Sequence, residues 1–173
     1  IALGKLEPVK QVVFFSAVNH KTITRGERMI KKILVAYDHG LKAQKALEVA
    51  IEIAKACKAE VYIFTSVKIP EIVNSFAARD MLKELEMQSR KYFENILENA
   101  AARVRNEGIT VHVVIQSERP GEAIVRFAEQ EKIDLITLGS NNRGSFERFL
   151  LGLGSVSNYI VQRAKCPVLI SKV

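Results

Sequence analysis

Between Leu138 and Tyr159 the chain reads LGSNNRGSFERFLLGLGSVSNY, with Gly139, Gly144, Gly152 and Gly154 spread through it. Glycine permits positive φ and lets backbone approach a ligand closely. Successive N–H groups in such turns point into one concavity that favours phosphate oxygens. Ser140 and Ser155 add hydroxyl donors, and Arg143 adds a cation. Ser155 is also well placed to cap a helix beginning in GSVSNYIVQRA. A helix start offers unpaired N–H groups and the positive end of the dipole. The chemistry such a stretch can do is to hold phosphate. Its bland alternative is a surface loop whose glycines only make turns.

Signatures of phosphoryl transfer are missing. No GxxxxGK[ST] occurs, and no GxGxxG follows a strand. An ATPase or kinase needs a positioned nucleophile and neutralised phosphoryl charge, yet there is no HRD or DFG. His39 stands beside Asp38 and could be cast as a base; it reads better as a turn or rim residue. His112 alternates inside a strand-like run, and His20 has no visible partner. Cys57 and Cys166 form no CxxC and no His/Cys cluster. They read as buried reduced thiols, which suit a reducing cytoplasm. The residues therefore favour a binding module over a catalyst, with no catalytic residue and no metal site assigned.

Position separates cradle from loop, and position depends on the elements around the stretch. KKILVAY (Lys31–Tyr37) is a β-rich run that ends at Asp38-His39-Gly40. A helix is expected over about 42–57, because Leu47, Ala50, Ile51 and Ala54 fall on one face. EVYIFTSV (Glu60–Val67) reads as the second strand. KIPEIVNSFAARD then makes a long connection of the kind that often forms lids or ligand walls. A long helix follows over about 79–106, with Phe93, Ile96, Leu97, Ala100, Ala101 and Val104 buried and Gly108 ending it. ITVHVVIQ (Ile109–Gln116) is the third strand. Pro120 opens a helix over about 121–131, and DLITLG (Asp134–Gly139) is the fourth strand. The glycine-rich stretch comes next, then a helix over about 155–164, and CPVLISKV (Cys166–Val173) closes as the fifth strand.

Strands that alternate with helices imply a parallel sheet covered on both faces. In such sheets ligands bind beyond the carboxyl ends of the strands, where the strand order reverses. Asp38 leaves the end of strand one and the glycine-rich stretch leaves the end of strand four. Both face a ligand if those strands are neighbours. That placement favours the cradle.

The 173 residues suffice for one full-sized domain. Net charge is +7, of which +3 lies in residues 1–28 (five Lys/Arg against Glu7 and Glu27). No basic block or basic-aromatic stripe points to nucleic acid. No apolar run approaches the roughly 20 residues that span a bilayer. Residues 1–28 lack clear periodicity apart from VVFFSAV (Val12–Val18), which is too short and too poorly supported downstream for a signal peptide. The regular pattern begins at Met29. Residues 1–28 are read as an extension, an appended strand or arm, or a mis-called start, and 29–173 as the domain.

KKILVAYD, AIEIAKACKAEVYIF and DLITLGSNNRGSFERFLLGLGSVSNYIVQRAKCPVLI resemble the universal stress protein family over essentially Lys31–Val173. Its ATP-binding members carry Gly, two residues, Gly, nine residues, then Gly-Ser or Gly-Thr. Here Gly144, nine residues (Ser145–Leu153), Gly154 and Ser155 match the second part. The first spacing departs, since SNNR separates Gly139 from Gly144. Either NN is an insertion, or Asn142 replaces a glycine.

The resemblance implies a five-stranded, doubly wound parallel sheet of strand order 3-2-1-4-5, of the adenine nucleotide alpha hydrolase-like kind. It implies ATP (or ADP or AMP, with Mg²⁺ on the phosphates), held by Gly139, Ser140, Arg143, Gly144, Gly154, Ser155 and Val156. Asp38 would contact the adenosine part. Ala36 stands where a proline is frequent, and Ser66 or Val67 would line the adenine pocket. It further implies a stress-response or regulatory role and a homodimer joined through the C-terminal strand, read as an exposed apolar edge. Weak ATPase activity and a dimeric interaction protein without nucleotide are the alternatives.

Overall fold

The computed structural model describes residues 12–15, 30–66, 76–139 and 155–171. The elements run β1 (Val12–Phe15), β2 (Lys32–Ala36), α1 (Leu41–Cys57), β3 (Glu60–Ser66), α2 (Phe76–Asn106), β4 (Val111–Gln116), α3 (Pro120–Gln130), β5 (Leu135–Gly139), α4 (Ser155–Arg163) and β6 (Val168–Ser171). The sheet order is β1-β6-β5-β2-β3-β4. β2 to β6 are mutually parallel. Numbered in chain order, these five strands give 3-2-1-4-5, as expected. α2 begins three residues earlier than the sequence periodicity suggested. The connection before it is correspondingly shorter, and residues 67–75 lie outside the described set.

Two apolar layers follow from the period-two alternation of strand side chains. Ile33, Val35, Val61 and Ile63 pack with Leu47 and Ala50 of α1 and with Leu97, Ala101 and Val104 of α2. Leu34, Phe64, Ile136 and Leu138 face Ala123 and Ile124 of α3 and Ile160 of α4. With both faces covered, β2 and β5 are apolar almost throughout, the mark of a buried parallel strand.

The expectation that the C-terminal strand is a sheet edge needs correction. β1 lies outside β6 and pairs with it antiparallel, from Val12 opposite Ser171 to Phe15 opposite Val168. The physical reason is the edge itself. Unpaired N–H and C=O groups on an apolar strand accept any β-prone segment that reaches them. Val12–Phe15 is such a segment. Phe15 and Ile30 both lie at the amino end of the parallel strands. About three strand spacings, roughly 15 Å, separate their strands, and residues 16–29 are long enough to cover that distance.

The amino end of the sheet carries a polar cluster across β2, β3 and β4. His112 Nε2 lies 2.9 Å from Glu60 Oε2, and Tyr62 Oη donates to Glu60 Oε1 at 3.2 Å. Lys32 Nζ stands 3.6 Å from the same carboxylate, and the Tyr62 and His112 rings stack at 4.5 Å. The hydrogen bond from His112, with one from Tyr62 and the charge of Lys32, holds the Glu60 carboxyl below its usual range. A depressed carboxyl contributes stability above its unfolded-state value and loses it as pH falls through the folded-state value.

Two outcomes are expected. Glu60→Gln should flatten the acid limb of a stability-against-pH curve below about pH 4.3, the ordinary Glu value, while changing the neutral-pH slope little. Parallel acid limbs in urea titrations of both proteins would count against this. Proline at both Val13 and Phe14 removes the β1 donor that reaches β6, since one of two adjacent strand residues turns its N–H to the neighbour. Faster hydrogen exchange at the Val168–Ser171 amides facing β1 is expected, with Ile33–Val35 unchanged. Unaltered exchange would mean that β1 does not guard this edge.

Candidate functional site

The order of the parallel strands reverses at β2 and β5, which pair from Ile33–Leu135 to Ala36–Leu138. Beyond their carboxyl ends lies a cavity of about 600 Å³, within the usual range for small-molecule sites. Its floor is apolar: Ala36, Phe64, Ile124 and Leu138. The end of β3 adds Thr65 and Ser66, and the α1 side adds Asp38, Gly40, Leu41 and Lys42. Gly139, Ser155, Val156 and Ser157 close the β5–α4 side, with Pro120 from the start of α3.

Asp38 is set by a tight turn. Its Oδ1 accepts the Gly40 N–H at 3.0 Å, and His39 between them takes φ 66°. A non-glycine residue in that region carries strain of order 1–3 kcal/mol, which clusters at ligand-binding turns. Gln44 Nε2 donates to the His39 carbonyl at 3.1 Å and holds the turn. His39 is thus a turn residue, as its sequence setting suggested. Tyr37 is buried, and burial raises its phenol above the ordinary value.

Gly139 has a steric reason for being glycine. A Cβ there would stand 2.6 Å from the Lys42 carbonyl carbon, 2.6 Å from Lys42 Cβ and 2.8 Å from the Ala43 nitrogen. The missing side chain lets the first turn of α1 dock on the end of β5. Gly121 does the same for α3 and α4, where a Cβ would meet the Tyr159 ring at 3.0 Å. These two close contacts bring three helix starts to one cavity. The first turns of α1 and α4 contain no acidic residue; the carboxylate beside the start of α1 is Asp38, on the Gly40 N–H.

Ala36, Asp38, Gly139, Ser155 and Val156 line this one cavity, and so does Ser66. Val67, Ser140, Arg143, Gly144 and Gly154 lie outside the described residues. Ser155 is the first residue inside α4, not the cap before it. Ser66 Oγ donates to the Glu118 carbonyl at 2.7 Å and accepts its N–H at 3.3 Å, tying β3 to the loop before α3. Sequence reasoning missed Lys42, Leu41, Thr65 and Ser157. Leu41 is 78% exposed at the rim, an apolar side chain in water at the mouth of a cavity. Thr65 and Ser157 are buried. The signal for Lys42 was available, since it begins the helix that leaves the strand carrying Asp38.

Comparison with known proteins bears on the fold and the site. A model described as the universal stress protein family matches residues 29–172. A universal stress protein of Methanocaldococcus jannaschii is 33% identical over 156 residues, covering 87% of this chain and 86% of its own. The solved structure of the universal stress protein UspA from Lactobacillus plantarum superposes with TM-score 0.71 at 25% identity, covering 83% of this chain and 99% of that one. A universal stress protein crystallised in complex with cAMP shares the fold at TM-score 0.64 and 23% identity, covering 83% of this chain and 97% of that one.

Gly139→Ala puts a methyl group into backbone at sub-contact distance, where no flexible side-chain end can yield. A loss of about 1–3 kcal/mol is expected, the usual cost of overpacking, read as a lower urea midpoint with unchanged slope. An unchanged midpoint would mean that α1 does not depend on this contact.

Proposed function

This chain belongs to the universal stress protein family, and from that premise we propose that it binds an adenine nucleotide, ATP in the first instance, as a stress-response or regulatory protein. The observation that carries this reading is the cavity at the β2/β5 reversal, with helix starts free of acids on two sides and Asp38 at its mouth. A nucleotide needs an apolar floor for its base, an acceptor for its sugar and positive ends for its phosphates. Phe64, Ile124 and Leu138 suit the first, Asp38 the second, and α1 and α4 the third. In this reading residues 140–154 close over the phosphates with Ser140, Arg143, Gly144 and Gly154, while Val67 extends the base wall. A protein of the same fold holds cAMP, which makes adenine nucleotides the class to test first.

Hydrolysis, if any, is slow in this reading, because no residue among the described ones at the cavity combines nucleophile activation with phosphoryl charge neutralisation. Among the described residues no group of three or more His, Cys, Asp or Glu could hold a metal ion. Mg²⁺ would therefore arrive on the phosphates. Residues 29–173 form the binding domain in this proposal, and residues 1–28 are appended to it. Homodimer formation through β6 would require β1 to leave that edge. A reducing cytoplasm is the compartment we infer: Cys57 and Cys166 are free and half-buried. Burial pushes the Cys166 thiol up to about 11, so it stays protonated at neutral pH. Among the described residues no helix is long and apolar enough to cross a membrane.

The wider first glycine interval favours a second reading, an interaction protein without nucleotide, and one experiment separates the two. Nucleotide released on denaturing the purified protein is identified, and binding is then measured by calorimetry for wild type and Gly154→Val. A β-branched residue at 154 disfavours positive φ and close approach. Affinity for ATP should fall about tenfold or more, about 1.4 kcal/mol, with the fold intact. Absence of ATP, ADP and AMP binding by the wild type would favour the interaction reading. Equal affinities would put the nucleotide elsewhere.

A further inference from the structure

We propose that Lys42 makes the cavity prefer nucleotides with a chain of phosphates over monophosphates and nucleosides; this rests on the nucleotide reading above. Lys42 is the second residue of α1 and lines the cavity. A Cβ on Gly139 would lie 2.6 Å from Lys42 Cβ. The stem of the lysine therefore rises beside the point where the glycine-rich segment leaves β5. That segment leaves after Gly139 and returns at Ser155, and both residues line the same cavity. A phosphate held beside Gly139 lies within reach of a lysine ammonium on its four-carbon stem.

Among the described residues the charge of Lys42 is unmatched. Its neighbours on α1 are engaged: Gln44 with the His39 carbonyl and Lys45 with Glu48. Lys42 has no hydrogen-bond or ion-pair partner among the described residues. It also sits at the wrong end of a helix, because a cation in the first turn opposes the dipole. The arrangement is unfavourable when empty and favourable once an anion faces both the ammonium and the N–H groups of the turn. The first turn of α1 carries no carboxylate of its own, and Asp38 just before it engages the Gly40 N–H through Oδ1.

Coulomb attraction scales with the charge of the ligand, so the contribution of Lys42 must grow from adenosine through AMP to ATP. A structural lysine would affect all three alike. Calorimetry on the full chain with adenosine, AMP and ATP, using wild type, Lys42→Met and Lys42→Arg, tests this. Met keeps the stem and removes the charge; Arg keeps both. Lys42→Met should weaken ATP about tenfold or more and AMP about two- to threefold, leaving adenosine unchanged. Lys42→Arg should retain most of the ATP affinity. The ATP deficit should shrink in high salt. Thermal unfolding without ligand should show Lys42→Met at least as stable as wild type, which also establishes that it folds.

An equal loss for all three ligands, or no loss for ATP, overturns the role of Lys42 and leaves the nucleotide site standing. Failure of the wild type to bind any of the three overturns the nucleotide reading and this inference with it.

Discussion

The approach of α1 to the end of β5 is the contact on which the candidate site depends. Gly139 ends β5, and the backbone of Lys42 and Ala43 occupies the space where its side chain would be. Parallel strands that diverge at a reversal point leave a crevice, and something must set its width. Here the width is set by backbone against backbone. This keeps the Asp38 turn, the first turn of α1 and the departure of the glycine-rich segment within one ligand's span.

The consequences are electrostatic as well as steric. Helix starts that converge on one concavity add their unpaired N–H groups into a single field. The first turns of α1 and α4 carry no acid, whereas that of α3 carries Glu122. Asp38 supplies the opposing sign at the mouth, with one oxygen engaged by Gly40. A ligand with a neutral, hydrogen-bonding part and an anionic part matches that separation of charge. The strained His39 belongs to the same logic, because its positive φ turns the chain from the strand into the helix in the fewest residues.

The ends of the sheet are managed separately from the site. At the amino end Glu60 gathers His112, Tyr62 and Lys32, which fastens the outer strand β4 to β3 and β2. At the far edge β1 covers β6. Neither device touches the cavity. The binding end can therefore hold a strained turn while the sheet is secured elsewhere.

The sequence by itself determined the element order, the parallel sheet and the two apolar layers. Those follow from local pattern: the short apolar runs of β2 and β5, and the stripes of α1 and α2, each read within a dozen residues. The resemblance of the glycine-rich stretch pointed to Asp38, Ser155 and Val156, and placement at strand ends explains why they meet. Tertiary structure alone decided the remainder. Whether Val12–Phe15 pairs with β6 is a contest among edges, and no local pattern names the winner. That Gly139 serves helix docking depends on Lys42, about a hundred residues away in sequence. That Lys42, Thr65 and Ser157 face the same cavity depends on how β2, β3 and β5 lie side by side. Period and propensity act within a segment, whereas a site is a place where separate segments exclude one another's atoms.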